Sequence, residues 1–419
     1  MKILTLLFVL ITNNYSVTVA AKNLKNHLNY QGIYKLNDPQ FTGNGTIIFN
    51  GEYLQYKQKL LNLTLKPLNK KNCFSIVNRP KESLCFFKSN NEFSHFEWHV
   101  SGGDTVIGNR QYTQLVKKIS DLLLEHYIEE KSTNKIINQI EKSNAINPYS
   151  QEIDLDVLAK RLTADLRIVN NDYHLYARNK NSKSPHKSPT KKKRRMVRIP
   201  QTTGSSSGKR GGKVIENSIF ANSTYETEIL DGNIGYLPIN IFGMGEDNME
   251  KIEAAMHKMK DTDQLIIDLT KAPGGAGEAV IKLSSYFFNI NTHLVNSQRT
   301  KKEAVQGRWT DTELVDYFYD KPVIILTSKK TGSASESFLF GLKNQQRVLQ
   351  IGESTGGGGY NNQFFDLSPD LAVSISIGVT SNPTTGIGWQ TTGIHPDVSI
   401  KADQALVKAL ELIRSGETN

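Results

Sequence analysis

From residue 233 onward the chain alternates short apolar runs with segments of helical period, and that alternation limits it to few architectures. The runs "NIGYLPINIF", "QLIIDL" and "PVIILTS" are each followed by a stretch with apolar residues at three- and four-residue intervals. These stretches are "NMEKIEAAMHKMK", the segment from Glu278, and the segment from Ala334. Near-continuous apolar runs read as strands covered on both faces, and the stretches between them as amphipathic helices. Strands alternating with helices imply an α/β layered core with a largely parallel sheet.

The preceding chain has a different texture. From about 29 to 108, runs such as "GTIIFNGEYLQYK" and "ESLCFFKS" alternate apolar with polar residues and are broken by Gly, Asn and Pro, which predicts small antiparallel strands. The only cysteines, Cys73 and Cys85, fall in this segment. In an exported chain they predict a disulfide closing a strand pair, since two thiols alone make a poor zinc site. From 112 to 168 the period changes to that of two or three amphipathic helices, as in "YTQLVKKISDLLLEHYIEEKSTNKIINQIEK". The expected division is a leader over 1–20, a β-rich extension over 21–110, a helical subdomain over 111–177, a basic linker over 178–217 and a core over 218–415.

At 419 residues with 38% apolar composition the chain has room for two or three domains and a sizeable interior. Its N-terminus has Lys2, an apolar run from Ile3 to Ile11, and small residues at Thr18 and Ala20, the pattern of a secretory leader cleaved after Ala20. Val19 and Ala21 offer a nearly equal site one residue later. The run is too short to span a bilayer, which needs about 20 residues. A periplasmic or extracellular destination is expected. The net charge of +10 is local: residues 178–213 hold thirteen Lys and Arg and no acid, so the rest of the chain sums to −3. Like charge with Ser, Pro and Gly predicts a solvated linker, and no aromatic is interleaved to stack on bases, so nucleic acid is not the expected partner.

The chemistry gathers around "KKTGSASESFLFG", Lys329–Gly341, where an apolar run turns into a helix. Ser333 and Glu336 have the spacing of a capping box, which by itself accounts for both. The same position also suits a nucleophile, because a helix N-terminus favours a developing oxyanion. In "LIIDLTKAPGGAGEAV", Gly274 and Gly275 stand between a strand and a helix, where bare backbone N–H groups can face an anion. His174 lies in the polar turn "NNDYHL", an ordinary setting for a surface histidine, and "GESTGGGG" and "GIGWQTTGIHPDV" supply further loops. "GSSSG", Gly204–Gly208, matches a nucleophile elbow in letters only, for it lacks the strand before and the helix after.

In order and spacing, "DYHL", "GNIGYLPINIF", "LIIDLTKAPGG", "TGSASE", "GESTGGG" and "GIHPDV" resemble the C-terminal processing, or tail-specific, serine peptidases. The similarity is greatest to the branch that includes tricorn protease cores and the repeats of interphotoreceptor retinoid-binding protein. It covers about 112 to 400, and the chain between the basic linker and "GNIGY" is too short for the PDZ domain that many processing peptidases carry. The resemblance implies a crotonase-like (ClpP/crotonase-type) core carrying the helical subdomain and the β-rich extension. It makes Ser333 the nucleophile and the amides of Gly274, Gly275 and Ala334 the oxyanion-hole region. The lysine-dependent branch places its base in the glycine loop, which here reads Gly356, Gly357, Gly358, Gly359, so the implied base is His174.

Two positions depart from the family's tetrad: Tyr173 stands where a serine flanks the histidine, and Gln390 where a late glutamate precedes the "GIHPD" loop. Thr270 and Ala272 likewise replace an arginine and an asparagine. Gln390 can orient a neighbour by hydrogen bonding but adds no charge to steady an imidazolium. The reading is therefore an exported serine peptidase acting on extended polypeptides, with no cofactor or metal. Two alternatives stand beside it: a non-catalytic relative that binds a peptide or apolar ligand, and a polyanion-binding scaffold working through the basic segment.

Overall fold

The computed structural model describes residues 27–37, 44–58, 61–89, 92–182 and 223–417. The expected leader, the "GSSSG" run and the basic segment from residue 183 lie outside them. The chain divides into two compact units. One holds the residues up to Asn170 with Leu175–Lys180 and Gln363–Ile375, and the other holds Asn171–His174, Asn181–Asn362 and Ser376–Asn419.

In the first unit eight strands, β1 (Gly32–Leu36) to β8 (Thr105–Arg110), form a closed antiparallel barrel in which β8 pairs back with β1. Alternate residues point inward, among them Tyr34, Tyr56, Phe96 and Trp98, all essentially buried. Glycine makes room for these rings. A Cβ on Gly108 would run into the ring of Phe96, and one on Gly45 into Tyr56. Cys73 and Cys85 face each other in register and are joined by a disulfide, as the spacing predicted. Three helices follow: α1 (Leu115–His126), α2 (Glu130–Ile146) and α3 (Leu155–Arg167). Each buries one stripe, and Asp154 caps α3 by accepting from the N–H groups of Asp156 and Val157. Strand β9 (Tyr176–Asn179) ends this run and pairs with Leu371–Ser374.

The second unit is built on a six-stranded sheet. Strand β10 (Glu228–Leu230) pairs antiparallel with β11 (Ile234–Pro238), and β12 (Gln264–Asp268), β15 (Val323–Thr327), β16 (Leu349–Gly352) and β19 (Val398–Ser399) follow in parallel. Helices α4 (Glu246–Met259), α5 (Gly277–Ser285) and α6 (Ser333–Asn344) cover one face. There Leu237, Leu265, Ile267 and Ile325 pack with Met256, Leu283 and Phe338. The intervening residues Ile234, Ile266, Ile324 and Leu326 point the other way, onto helix α7 (Ala405–Ser415). Burial on both faces is why these strands lack polar alternation, and each such side chain contributes about 1.5–3 kcal/mol. A second, antiparallel sheet has the order β14 (Gln306–Trp309), β13 (His293–Gln298), β18 (Leu371–Ser381), β17 (Tyr360–Asp366).

Candidate active site

Loops leave the C-terminal ends of β11, β12, β15 and β16 along one edge of the parallel sheet, the edge where open sheets of this kind hold ligands. After β12, Asp268 accepts from the N–H and hydroxyl of Thr270 at 2.8 and 2.6 Å and from the Tyr236 hydroxyl at 2.6 Å. The carboxylate thus holds a turn. The loop then reaches Gly274 and Gly275, whose φ angles of 131° and 137° favour glycine. Phe242 donates its N–H to the Gly274 carbonyl at 2.9 Å and accepts from the Ala276 N–H at 2.8 Å. This bridge uses the groups flanking Gly275, so the N–H of Gly275 itself faces away from Phe242.

The turn from β15 into α6 is tied to that loop. The Thr331 hydroxyl donates to the Leu269 carbonyl at 2.8 Å, and the Gly332 N–H to the Ala272 carbonyl at 3.1 Å. Within this brace Ser333 sits at φ 51°, left-handed for a residue with a Cβ, at a cost of roughly 1–2 kcal/mol. A Cβ on Gly274 would lie 2.7 Å from that of Ser333, so only glycine permits the approach. Half of the expected capping box forms: the Ser333 N–H donates to Glu336 Oε2 at 2.8 Å. The other half does not, because Gly332 is the N-cap residue and no side chain caps the helix. The Ser333 hydroxyl is not a cap. Ala334, the second residue of α6, presents an N–H with no acceptor one turn back in the helix.

Glu336 does more than reach back one turn. Its Oε1 accepts from the Thr355 hydroxyl at 2.5 Å and the Gly357 N–H at 2.7 Å, and its Oε2 takes the Gly358 N–H at 2.7 Å beside that of Ser333. Burial raises its pKa above the ordinary carboxylate value, against the opposite pull of these four donors. The carboxylate clamps the glycine loop to the N-terminus of α6.

That loop packs on the histidine turn. A Cβ on Gly358 would lie 2.9 Å from Tyr173 Cδ1, 3.1 Å from His174 Cε1 and 3.2 Å from Glu336 Oε2. No side chain fits at Gly358 while His174 occupies this place. His174 is buried, at 4% exposure, where its polar turn suggested a surface residue. Asp172 holds the turn, its Oδ1 accepting from the His174 N–H at 3.0 Å and from Gln390 Nε2 at 3.2 Å. Gln390 Oε1 in turn accepts from the Tyr360 N–H at 3.0 Å. The Tyr173 ring stands edge-on to His174 at 5.2 Å, and its hydroxyl lies 2.7 Å from where a Cβ on Gly332 would be.

Ser333, Ala334, Gly275 and Gly358 line one cavity of about 340 Å³, with Trp389 on its wall. Gly274 packs beneath Ser333, Tyr173 and His174 against Gly358, and Gln390 behind Asp172. Ser335 is fully buried, whereas Ser337 lines the cavity one turn along α6. Sequence reasoning gave Asp172 no role beyond its place in the motif, and it missed the fourfold role of Glu336 and Arg308 in the cavity wall. Glu336 left its capping-box spacing as a signal and Asp172 its place in "DYHL", whereas Arg308 left none.

Residues 233–400 match peptidase family S41, and residues 107–217 match the N-terminal domain of Peptidase_S41 in eukaryotic IRBP. Curated relatives include a carboxyl-terminal-processing protease of Synechocystis sp., 26% identical over 184 residues, which are 43% of this chain and 40% of that one. Another is a probable CtpA-like serine protease of Staphylococcus epidermidis, 25% identical over 216 residues, 49% of this chain and 40% of that one. The chain thus spans about two fifths of the length of these relatives. The crystal structure of the tricorn protease aligns with a TM-score of 0.43 at 13% identity, over 91% of this chain and 44% of that one.

Proposed function

We propose that this chain, whose residues 233–400 match peptidase family S41, is an exported serine endopeptidase that cleaves extended or unfolded polypeptides without a cofactor. The observation that carries the reading is Ser333. It is held in a left-handed conformation at a helix N-terminus, free of a capping role, and lines a cavity beside the amides of Gly275 and Ala334.

In this reading His174 takes the proton of the Ser333 hydroxyl as Oγ attacks the scissile carbonyl carbon. The oxyanion that forms is met by the N–H groups of Gly275 and Ala334. Collapse expels the amine, protonated by His174, and a water activated by the same imidazole releases the acyl group. Tyr173 walls the histidine, and Gln390 positions it through Asp172. The layered core is read as crotonase-like on the same resemblance. Export rests on the pattern of residues 1–20, so the protein isolated from its host should begin at Ala21 or Lys22; N-terminal sequencing that returns Met1 would refute it.

A fluorophosphonate probe tests the chemistry without needing the substrate. The wild type should label, Ser333→Ala and His174→Ala should not, and Ser335→Ala should label normally. Because the Ser333 hydroxyl makes no cap, Ser333→Ala should shift stability by less than about 0.5 kcal/mol. A folded wild type that takes no probe and cleaves no unfolded polypeptide would make the chain a binding relative instead.

A further inference from the structure

Two arginines share the cavity of Ser333. Arg308, on β14, and Arg299, just beyond β13, both line it, and the Arg308 guanidinium lies over the start of α5, with Nη1 2.7 Å from where a Cβ on Gly277 would be. Among the described residues no carboxylate comes within ion-pair distance of either. Glu278, at the outer rim, accepts the Gly245 N–H at 3.1 Å. Arg308 is half-buried, and burial and the like charge of Arg299 both lower its pKa. A partly desolvated guanidinium facing another cation is unfavourable unless an anion arrives between them. Val280, Ile281, Leu294 and Ile377 give the wall an apolar stretch, while Asn361, Asn362 and Thr380 add neutral polar groups and no acid. An apolar stretch and neutral polar groups beside a guanidinium fit a short methylene stem tipped by a carboxylate.

We infer that Arg308, with Arg299 at the rim, selects a glutamate or aspartate side chain of the polypeptide next to the bond facing Ser333. This rests on the peptidase reading for its site, and it names the substrate class. A charge-assisted, bidentate contact in a partly dry pocket is worth about a factor of ten or more over the neutral isostere.

The test uses binding, so that it does not depend on turnover. Fluorescein-labelled decapeptides of otherwise neutral sequence, carrying one Glu or one Gln at successive positions, are titrated with Ser333→Ala protein and followed by anisotropy. At one position Glu should bind about tenfold tighter than Gln, with the contrast shrinking in high salt. Arg308→Met should abolish the contrast and Arg308→Lys should keep part of it, with circular dichroism reporting that both variants fold. Equal binding of Glu and Gln peptides everywhere, or no binding of either, overturns the inference. So does binding of both peptides that is lost when their C-terminal carboxylate is amidated, since the anion recognised would then be the chain end. Probe labelling of the wild type reads the serine chemistry separately, so either proposal can fail alone.

Discussion

Gln390 occupies the position where the family resemblance calls for a glutamate, and its neighbours explain what an amide does there. Its Nε2 donates to Asp172 while its Oε1 accepts from Tyr360, a pair of roles that a carboxylate cannot fill. A glutamate would set a second negative charge against Asp172, whose other bond fixes the His174 backbone. The sequence alone suggests that Gln390→Glu leaves activity unchanged or raises it; the hydrogen bonds of the amide argue for the opposite outcome. Gln390→Glu should lower the rate of probe labelling at neutral pH by about tenfold through a displaced histidine. Asp172→Asn in the same chain should restore most of it, because the asparagine can donate to the new carboxylate and still accept from His174. A single variant that labels as fast as the wild type would show that this turn does not govern the reaction of Ser333. The residue types were legible in "DYHL" and "GIGWQ", but the pairing was not, because Asp172 and Gln390 are 218 residues apart.

The glycine loop after β16 and the first turn of α6 form one element in all but sequence, joined by Glu336. Four donors converge on its two oxygens, two on each, and only a carboxylate offers acceptors on both sides. In Glu336→Gln the amide NH₂ must face a pair of donors whichever way it turns. We expect the variant to lose about 2–4 kcal/mol of stability in a urea titration and to label slowly, since Ser333 and Gly358 are then no longer held together. A variant with wild-type stability would mean that water can replace the clamp. The sequence marked Glu336 as a capping partner because i to i+3 spacing is local. It gave no hint of Thr355 or of the loop glycines, which the chain returns only after another strand.

Across the whole molecule the eight-stranded barrel and the α/β unit draw stability from different sources. The barrel interior is aromatic and its Cys73–Cys85 bridge closes a short loop, with a sequence separation of 12. Replacing both cysteines by alanine should cost about 3 kcal/mol in the chain-entropy account, seen as a lowered thermal transition. Probe labelling below that transition should be unaffected, because the bridge and the serine belong to different units. Loss of labelling in the folded variant would show that the barrel supports the site. By itself the sequence determined the parallel α/β core, the antiparallel strands before it, the helices between them and the disulfide, because each is written in residues a few places apart as a period of two or 3.6. Closure of the barrel, the burial of His174, the clamp by Glu336 and the placing of two arginines beside Ser333 with no carboxylate at hand among the described residues were decided by the tertiary structure alone. Each depends on which distant segments meet and on the space a missing Cβ leaves between them, and no local period encodes that.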